Sequence, residues 1–178
     1  MGGNTLRDFI VKQLNVWIQY TDTVYMKDMQ PWDAGKVEKK LEDFKGQECY
    51  AGLDLSAGGD LTSLALVFSF VENGTKKYYV FTHSFMPEKR VQEHIKTDKV
   101  PYDLWIKNGL ITVTQTMGGI KTDYKYIISY LQKCITQYGL KIIAICYDPH
   151  NASAFLTDLD ALGTDCISIS QSAKSLND

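Results

Sequence analysis

The chain has 178 residues, 44% of them hydrophobic and 22% charged, which is enough for one well-buried core and ordinary for a globular domain. A formal net charge of −2 argues against a broadly basic nucleic-acid coat but leaves room for a local groove. No apolar stretch approaches the roughly 20 residues that span a bilayer, and Met1-Gly2-Gly3-Asn4 lacks a secretory signal's basic and apolar regions, so the expectation is a cytosolic protein with no membrane partner.

From the N-terminus, Phe9, Ile10, Leu14, Trp17 and Ile18 follow the spacing of an amphipathic helix over residues 6–20. With Trp32 behind Pro31 and the charged stretch Val37 to Phe44, residues 1–46 read as a helical lead-in or linker. From Glu48 the pattern turns to strands, at about 48–55 and 62–72, then a hairpin turn at Glu72-Asn73-Gly74 and a third strand at 77–85. Three consecutive antiparallel strands are implied. After Pro87 come a charged helical stretch at 88–96, the segment Pro101 to Asn108, and a short strand at 110–114. Residues 123–138 carry helical periodicity, and Gly139 caps the end. Lys141 to Tyr147 is a nearly continuous apolar strand ending at Asp148-Pro149. A helix at 151–162 and a strand at 166–170 complete the prediction. Strands first, then alternating helix and strand, predict a mixed α/β sheet covered by helices. The four cysteines (Cys49, Cys134, Cys146, Cys166) have no C-x-x-C spacing and read as small buried hydrophobes.

Two acids stand out. Asp54 ends the first apolar strand and Asp148 ends the later one, and in open α/β sheets that edge is where ligands bind. A carboxylate at such a buried position is costly unless a partner or metal compensates it. Two aspartates on neighbouring strand ends repel each other, a conflict that a divalent cation between them removes. Hard oxygen ligands suit Mg²⁺ or Mn²⁺, and two such ions about 3.5–4 Å apart can activate water and stabilise a leaving oxygen in phosphodiester cleavage. Asp60, six residues after Asp54 and beside Gly58-Gly59, is either a further metal ligand or a turn residue. His150 stands either as a polar helix cap or as a phosphate or metal contact. Lys121, Lys125 and Lys141 read as solvated faces, or as phosphate contacts where they line the acidic edge.

The same residues carry a resemblance. Gly52-Leu53-Asp54-Leu55-Ser56 followed by Asp60-Leu61-Thr62, with Ile145-Cys146-Tyr147-Asp148-Pro149, resembles the nuclease domain of tailed-phage terminase large subunits. Leu14-Asn15-Val16-Trp17 with Trp32 resembles the linker after the ATPase domain of those proteins, so the likeness spans about residues 10–170. It implies a ribonuclease H-like fold with helices on both faces of the sheet, and an endonuclease cutting concatemeric viral double-stranded DNA with two Mg²⁺ or Mn²⁺ ions. It implies as partners the terminase ATPase domain, the small subunit and the portal, in the host cytoplasm. Asp54 matches the family's first-strand acid and Asp148 the acid of the later central strand. The sequence departs from the pattern in two ways. There is no G-x-x-x-x-G-K-[ST] loop, so this chain is not the motor. The family's third acid stands on a helix beyond the last strand, and Asp178 is not assigned that role, so a C-terminally truncated nuclease domain over 47–178 is expected.

Two other readings use the same features. Asp54-Leu55-Ser56-Ala57-Gly58-Gly59 also suits the phosphate-holding hairpin of actin-like and sugar-kinase ATP-binding domains, although 178 residues leave no room for the two such domains those proteins have. A non-catalytic assembly module would instead use Trp17, Trp32 and the tyrosines as docking features.

Overall fold

The computed structural model describes residues 28–56, 60–98, 100–115, 122–150, 152 and 155–172. The chain divides after Lys39 into two units. In the first, Gln30–Ala34 (α1) makes a short helix with Pro31 in its first turn, where a missing N–H costs nothing, and with Trp32 exposed. The helix expected at 6–20 lies outside the described residues.

The second unit opens with a 3₁₀ turn, Leu41–Phe44, and builds one six-stranded sheet. Its strands are β1 (Glu48–Asp54), β2 (Thr62–Glu72), β3 (Thr75–Pro87), β4 (Ile111–Thr114), β5 (Lys141–Tyr147) and β6 (Asp165–Ser168). Their spatial order is β4-β3-β2-β1-β5-β6. The first three strands pair antiparallel, as their order predicts. β1–β5, β5–β6 and β3–β4 pair parallel. The mixed α/β sheet expected from the sequence is therefore present. Asn73 and Gly74, both at positive φ (53° and 77°), close the β2–β3 hairpin, the backbone signature of a type I′ turn.

Period-two alternation sorts β1 into two faces: Cys49, Ala51 and Leu53 are buried, while Tyr50 and Asp54 are exposed. On the inner face, Leu64, Leu66, Phe68 and Ile145 join Ile127, Leu131 and Cys134 of α4 (Lys125–Gln137), the helix that Gly139 ends at φ 63°. Phe155 and Leu159, around α5 (Leu156–Asp160), pack on the same core. Phe44 seals its far end, with ring centroids 4.5 Å from Phe68 and 5.1 Å from Phe81. Among the described residues the outer face is covered over β3 and β4. There Met86 and Ile111 are buried with Val91 of α2 (Glu88–Thr97) and Tyr102 of α3 (Tyr102–Lys107). Helices thus lie on both faces of the sheet. Asp98 fixes the α2–α3 corner by accepting hydrogen bonds from Thr97 Oγ1 and the Tyr102 hydroxyl and by pairing with His94; these contacts hold its carboxyl below the usual range.

One helix and the burial of two cysteines differ from expectation. The described helical residues after β5 are Leu156–Asp160 rather than 151–162, because i→i+3 turns at Phe155→Ala152, Leu162→Leu159 and Gly163→Asp160 replace helical bonding at both ends. Cys49 and Cys134 are buried, their thiols pushed up to about 12 and about 11 by burial, and are therefore inert. Cys146 and Cys166, expected to be buried, are half-exposed.

His83 is the buried titratable group of β3. Its ring stacks on Tyr130 of α4 at 4.2 Å, and Nε2 lies 2.7 Å from Thr112 Oγ1. Burial holds its pKa below the ordinary value, a backbone bond with Gly109 opposes this, and Lys133 adds to it. An unfolded histidine gains its proton near pH ~6.5, where the folded one does not. Stability contributed here is complete above that pH and is lost as pH falls through it toward the folded value. Thermal melts of the wild type are expected to show a lower midpoint at pH 5.5 than at pH 7.5, and His83→Gln, which gains no proton, is expected to flatten that difference (~2 pH units apart, across the histidine range). An unchanged slope in the variant would reject the assignment.

Candidate active site

β1 and β5 lie side by side within the sheet and run the same way. Their register pairs Ala51 with Ile145, Gly52 with Cys146 and Leu53 with Tyr147. The next residue on each is an aspartate: Asp54 is the last residue of β1, and Asp148 follows β5 directly. Neighbouring strands are spaced about 4.8 Å apart, so the two acids stand side by side at the carboxyl end of the sheet. Both line one open cleft of about 370 Å³ on the outer face, where α2 and α3 do not reach. Gly52, Ser63, Ala65, Thr82 and Cys146 contribute to its lining, and Ile169 and Gln171 beyond β6 complete a wall.

Each acid is held by its own local structure. Asp148 is half-buried, and its Oδ1 accepts the backbone N–H of His150 at 2.9 Å, an Asx turn that the following proline suits. The Tyr147 carbonyl just before it accepts the Ile169 N–H at 2.8 Å, which ties the strand end to the wall of the cleft. His150 itself is exposed, and its described role is that backbone bond. Past Asp54 the chain enters buried Leu55, and Ser56 anchors the turn. The Ser56 N–H donates to Thr62 Oγ1 (3.2 Å), Ser56 Oγ accepts the Asp60 N–H (3.1 Å), and the Tyr124 hydroxyl reaches the Ser56 carbonyl at 3.5 Å. Asp54 therefore leaves the sheet from a clamped base.

Asp60 is placed differently. It is exposed and outside the cleft lining. Its charge acts on Tyr102 of α3, whose hydroxyl is pushed up to about 12 by burial first, then by Asp98 and Asp60. Among the described residues no three histidine, cysteine, aspartate or glutamate side chains group as a metal site. Of the acids singled out in the sequence, Asp54 and Asp148 both line the cleft. Two carboxylates suit a small hard cation that keeps several waters and takes further oxygens from a phosphate. Lys125 and Lys141 are not in the cleft lining, and Lys121 lies outside the described residues. The lining residues Gly52, Ser63, Thr82 and Gln171 carry no motif of their own; a glycine inside a strand was the one signal in the sequence that a ligand or backbone comes close there.

Comparison with known proteins bears on what such a cleft is for. The family model described as terminase large subunit, endonuclease domain, matches residues 4–178. The large terminase subunit of Enterobacteria phage HK97 is 35% identical over 114 residues, which is 64% of this chain and 21% of that protein. Protein YmfN of Escherichia coli K12 is 27% identical over 126 residues, 67% of this chain and 27% of that protein. The crystal structure of the HK97 bacteriophage large terminase superposes with a TM-score of 0.58 at 29% identity, covering 76% of this chain and 28% of that one. The chain thus spans between a fifth and three-tenths of the length of these relatives. With a match over all but its first three residues, the chain belongs to the terminase large subunit endonuclease domain family.

Proposed function

We propose that this domain is a divalent-metal-dependent endodeoxyribonuclease that cuts concatemeric viral double-stranded DNA during phage DNA packaging. The observation that carries the reading is the pair Asp54 and Asp148, abreast on parallel strand ends in one open cleft. Their carboxylates would hold Mg²⁺ or Mn²⁺, two ions in the fullest form of the site. Such ions supply Lewis-acid stabilisation of phosphoryl oxygens and a water of lowered pKa.

The chain's own residues do the rest. His150 N–H occupies one oxygen of Asp148 and so orients the other. The clamp on Ser56 keeps Asp54 at a fixed position, and fixed geometry is what saves reorganisation when the substrate arrives. Asp60, outside the lining, is left as a residue of the β1–β2 turn. By the same reading, residues 1–46 lead in from an ATPase domain, and the small subunit and portal are partners in the host cytoplasm. Among the described residues no helix is long and apolar enough to cross a membrane.

The test is nicking of supercoiled plasmid by the purified chain. Conversion to open-circular and linear DNA is expected with Mn²⁺ or Mg²⁺ and not with EDTA, and Mn²⁺ is expected to raise the thermal midpoint. Absence of both effects would sink the proposal.

A further inference from the structure

The cleft lining contains two carboxylates and, among the described residues, neither lysine nor arginine. A phosphodiester backbone drawn to the acid pair therefore meets uncharged donors there. Ser63 is the best placed of them. It is the cross-strand partner of Asp54 on β1 and of Ser84 on β3, which sets the three residues in one row across the sheet. Directly opposed residues of an antiparallel pair have Cα atoms about 4.5–5.5 Å apart, so Ser63 is an immediate neighbour of the first acid. The Ser63 and Ser84 hydroxyl oxygens lie 3.3 Å apart. Each hydroxyl has one hydrogen, and their mutual bond consumes only one of the two. With Ser84 as the donor of that bond, the Ser63 hydrogen is left over beside Asp54, and a phosphate oxygen can only accept.

We infer that Ser63, backed by Ser84, is a substrate-binding residue that donates a hydrogen bond to a backbone phosphate oxygen of the strand being cut. The inference rests on the nuclease reading and adds to it a contact made without charge. Because a neutral donor releases no counterion, losing it weakens binding without changing how binding depends on salt.

The experiment measures steady-state cleavage of a fluorescent duplex by the full chain in Mn²⁺, for wild type, Ser63→Ala, Ser63→Thr and Ser84→Ala, with thermal midpoints recorded alongside. For Ser63→Ala, KM is expected to rise about tenfold with kcat within about twofold and the slope of log KM against log salt unchanged, the weight of one hydrogen bond to a charged group. Ser63→Thr restores the hydroxyl and is expected to restore KM. Ser84→Ala is expected to give a smaller rise, since it removes the support and leaves the donor. An active wild type with Ser63→Ala of unchanged KM, or with no rescue by threonine, overturns the inference alone. A wild type that fails to cleave removes the nuclease reading and this inference with it. Should Ser63→Ala fold poorly, Ser84→Ala decides the matter: a raised KM supports the inference and a wild-type KM overturns it.

Discussion

Exchanging Asp148 for Asn is expected to abolish Mn²⁺-dependent plasmid nicking while leaving the apo protein as stable as the wild type or slightly more so, and Asp54→Asn is expected to do the same. The two halves of this outcome have separate causes. Asparagine keeps the volume of the side chain, and at position 148 its carbonyl oxygen can still accept the His150 N–H that fixes the turn. What it loses is the charge. A pair of carboxylates abreast at the ends of β1 and β5 repels itself when no cation lies between, so neutralising one relieves strain. In a solvated cleft that relief is small, so the midpoint of the apo protein is expected to be unchanged or slightly raised. Catalysis runs the other way. A cation held by one carboxylate instead of two is bound more weakly and positioned less well, and forfeiting about 4 kcal/mol of transition-state stabilisation costs a factor of about 10³ in rate. Melting curves with and without Mn²⁺ provide the second readout, since the wild-type shift should vanish in both variants. Either variant cutting at the wild-type rate would remove that acid from the site.

Most of the scaffold behind that site could be read in the chain itself, because its signals are local. The Asn73-Gly74 turn, the apolar run Lys141 to Tyr147 and the helix closed by Gly139 are each written in a few adjacent residues. Asp54 and Asp148 were visible for a related reason: a charged residue ending an apolar strand is a local anomaly. That the two strands are neighbours follows from the family likeness and from topology, since nothing in the 93 residues between the two acids states it. Other features depend on register. Ser63 gains meaning only once it is seen opposite both Asp54 and Ser84. The segment 87–108 showed helical composition without a target, and its burial of Met86 and Ile111 emerges only when β4 is found beside β3. For Asp60 the sequence left two readings open, a metal ligand or a turn residue, because sequence proximity to Asp54 does not fix where a loop side chain is aimed. Asp60 is exposed and is not among the residues that line the cleft. The helix expected at 151–162 runs past the described Leu156–Asp160 because Leu162 continues the apolar spacing of Phe155 and Leu159 into turns bonded i→i+3.

Gly52→Val is expected to yield a protein that melts at or above the wild-type temperature and has lost most of its cleavage activity. Gly52 sits inside β1, two residues before Asp54 and on the same face, paired with Ala65 on one side and Cys146 on the other. A Cβ built there meets nothing within 4 Å, and the residue is not among the glycines at positive φ. Neither backbone geometry nor packing therefore calls for glycine. Against that, glycine within a strand costs roughly 0.5–1 kcal/mol relative to alanine, and valine is among the residues that strands favour. The sequence thus keeps an unfavourable residue at a place where the fold would accept a better one, and close approach of a ligand is the physical account of such a choice. A valine side chain would stand in the cleft about 7 Å along the strand from Asp54, where a duplex bound at the acid pair has to lie against the sheet. Displacing the reacting phosphate by even 1 Å is enough to cost on the order of 10²-fold in kcat/KM. Gly52→Ala should fall between the two, since a single methyl raises the floor less. Ser69→Val is the control: the residue is exposed on the same face of β2 but outside the cleft lining, and it should leave cleavage unchanged. A Gly52→Val protein that is stable and cuts at the wild-type rate would mean that the duplex reaches the acids over the edge of the sheet and not across its open face.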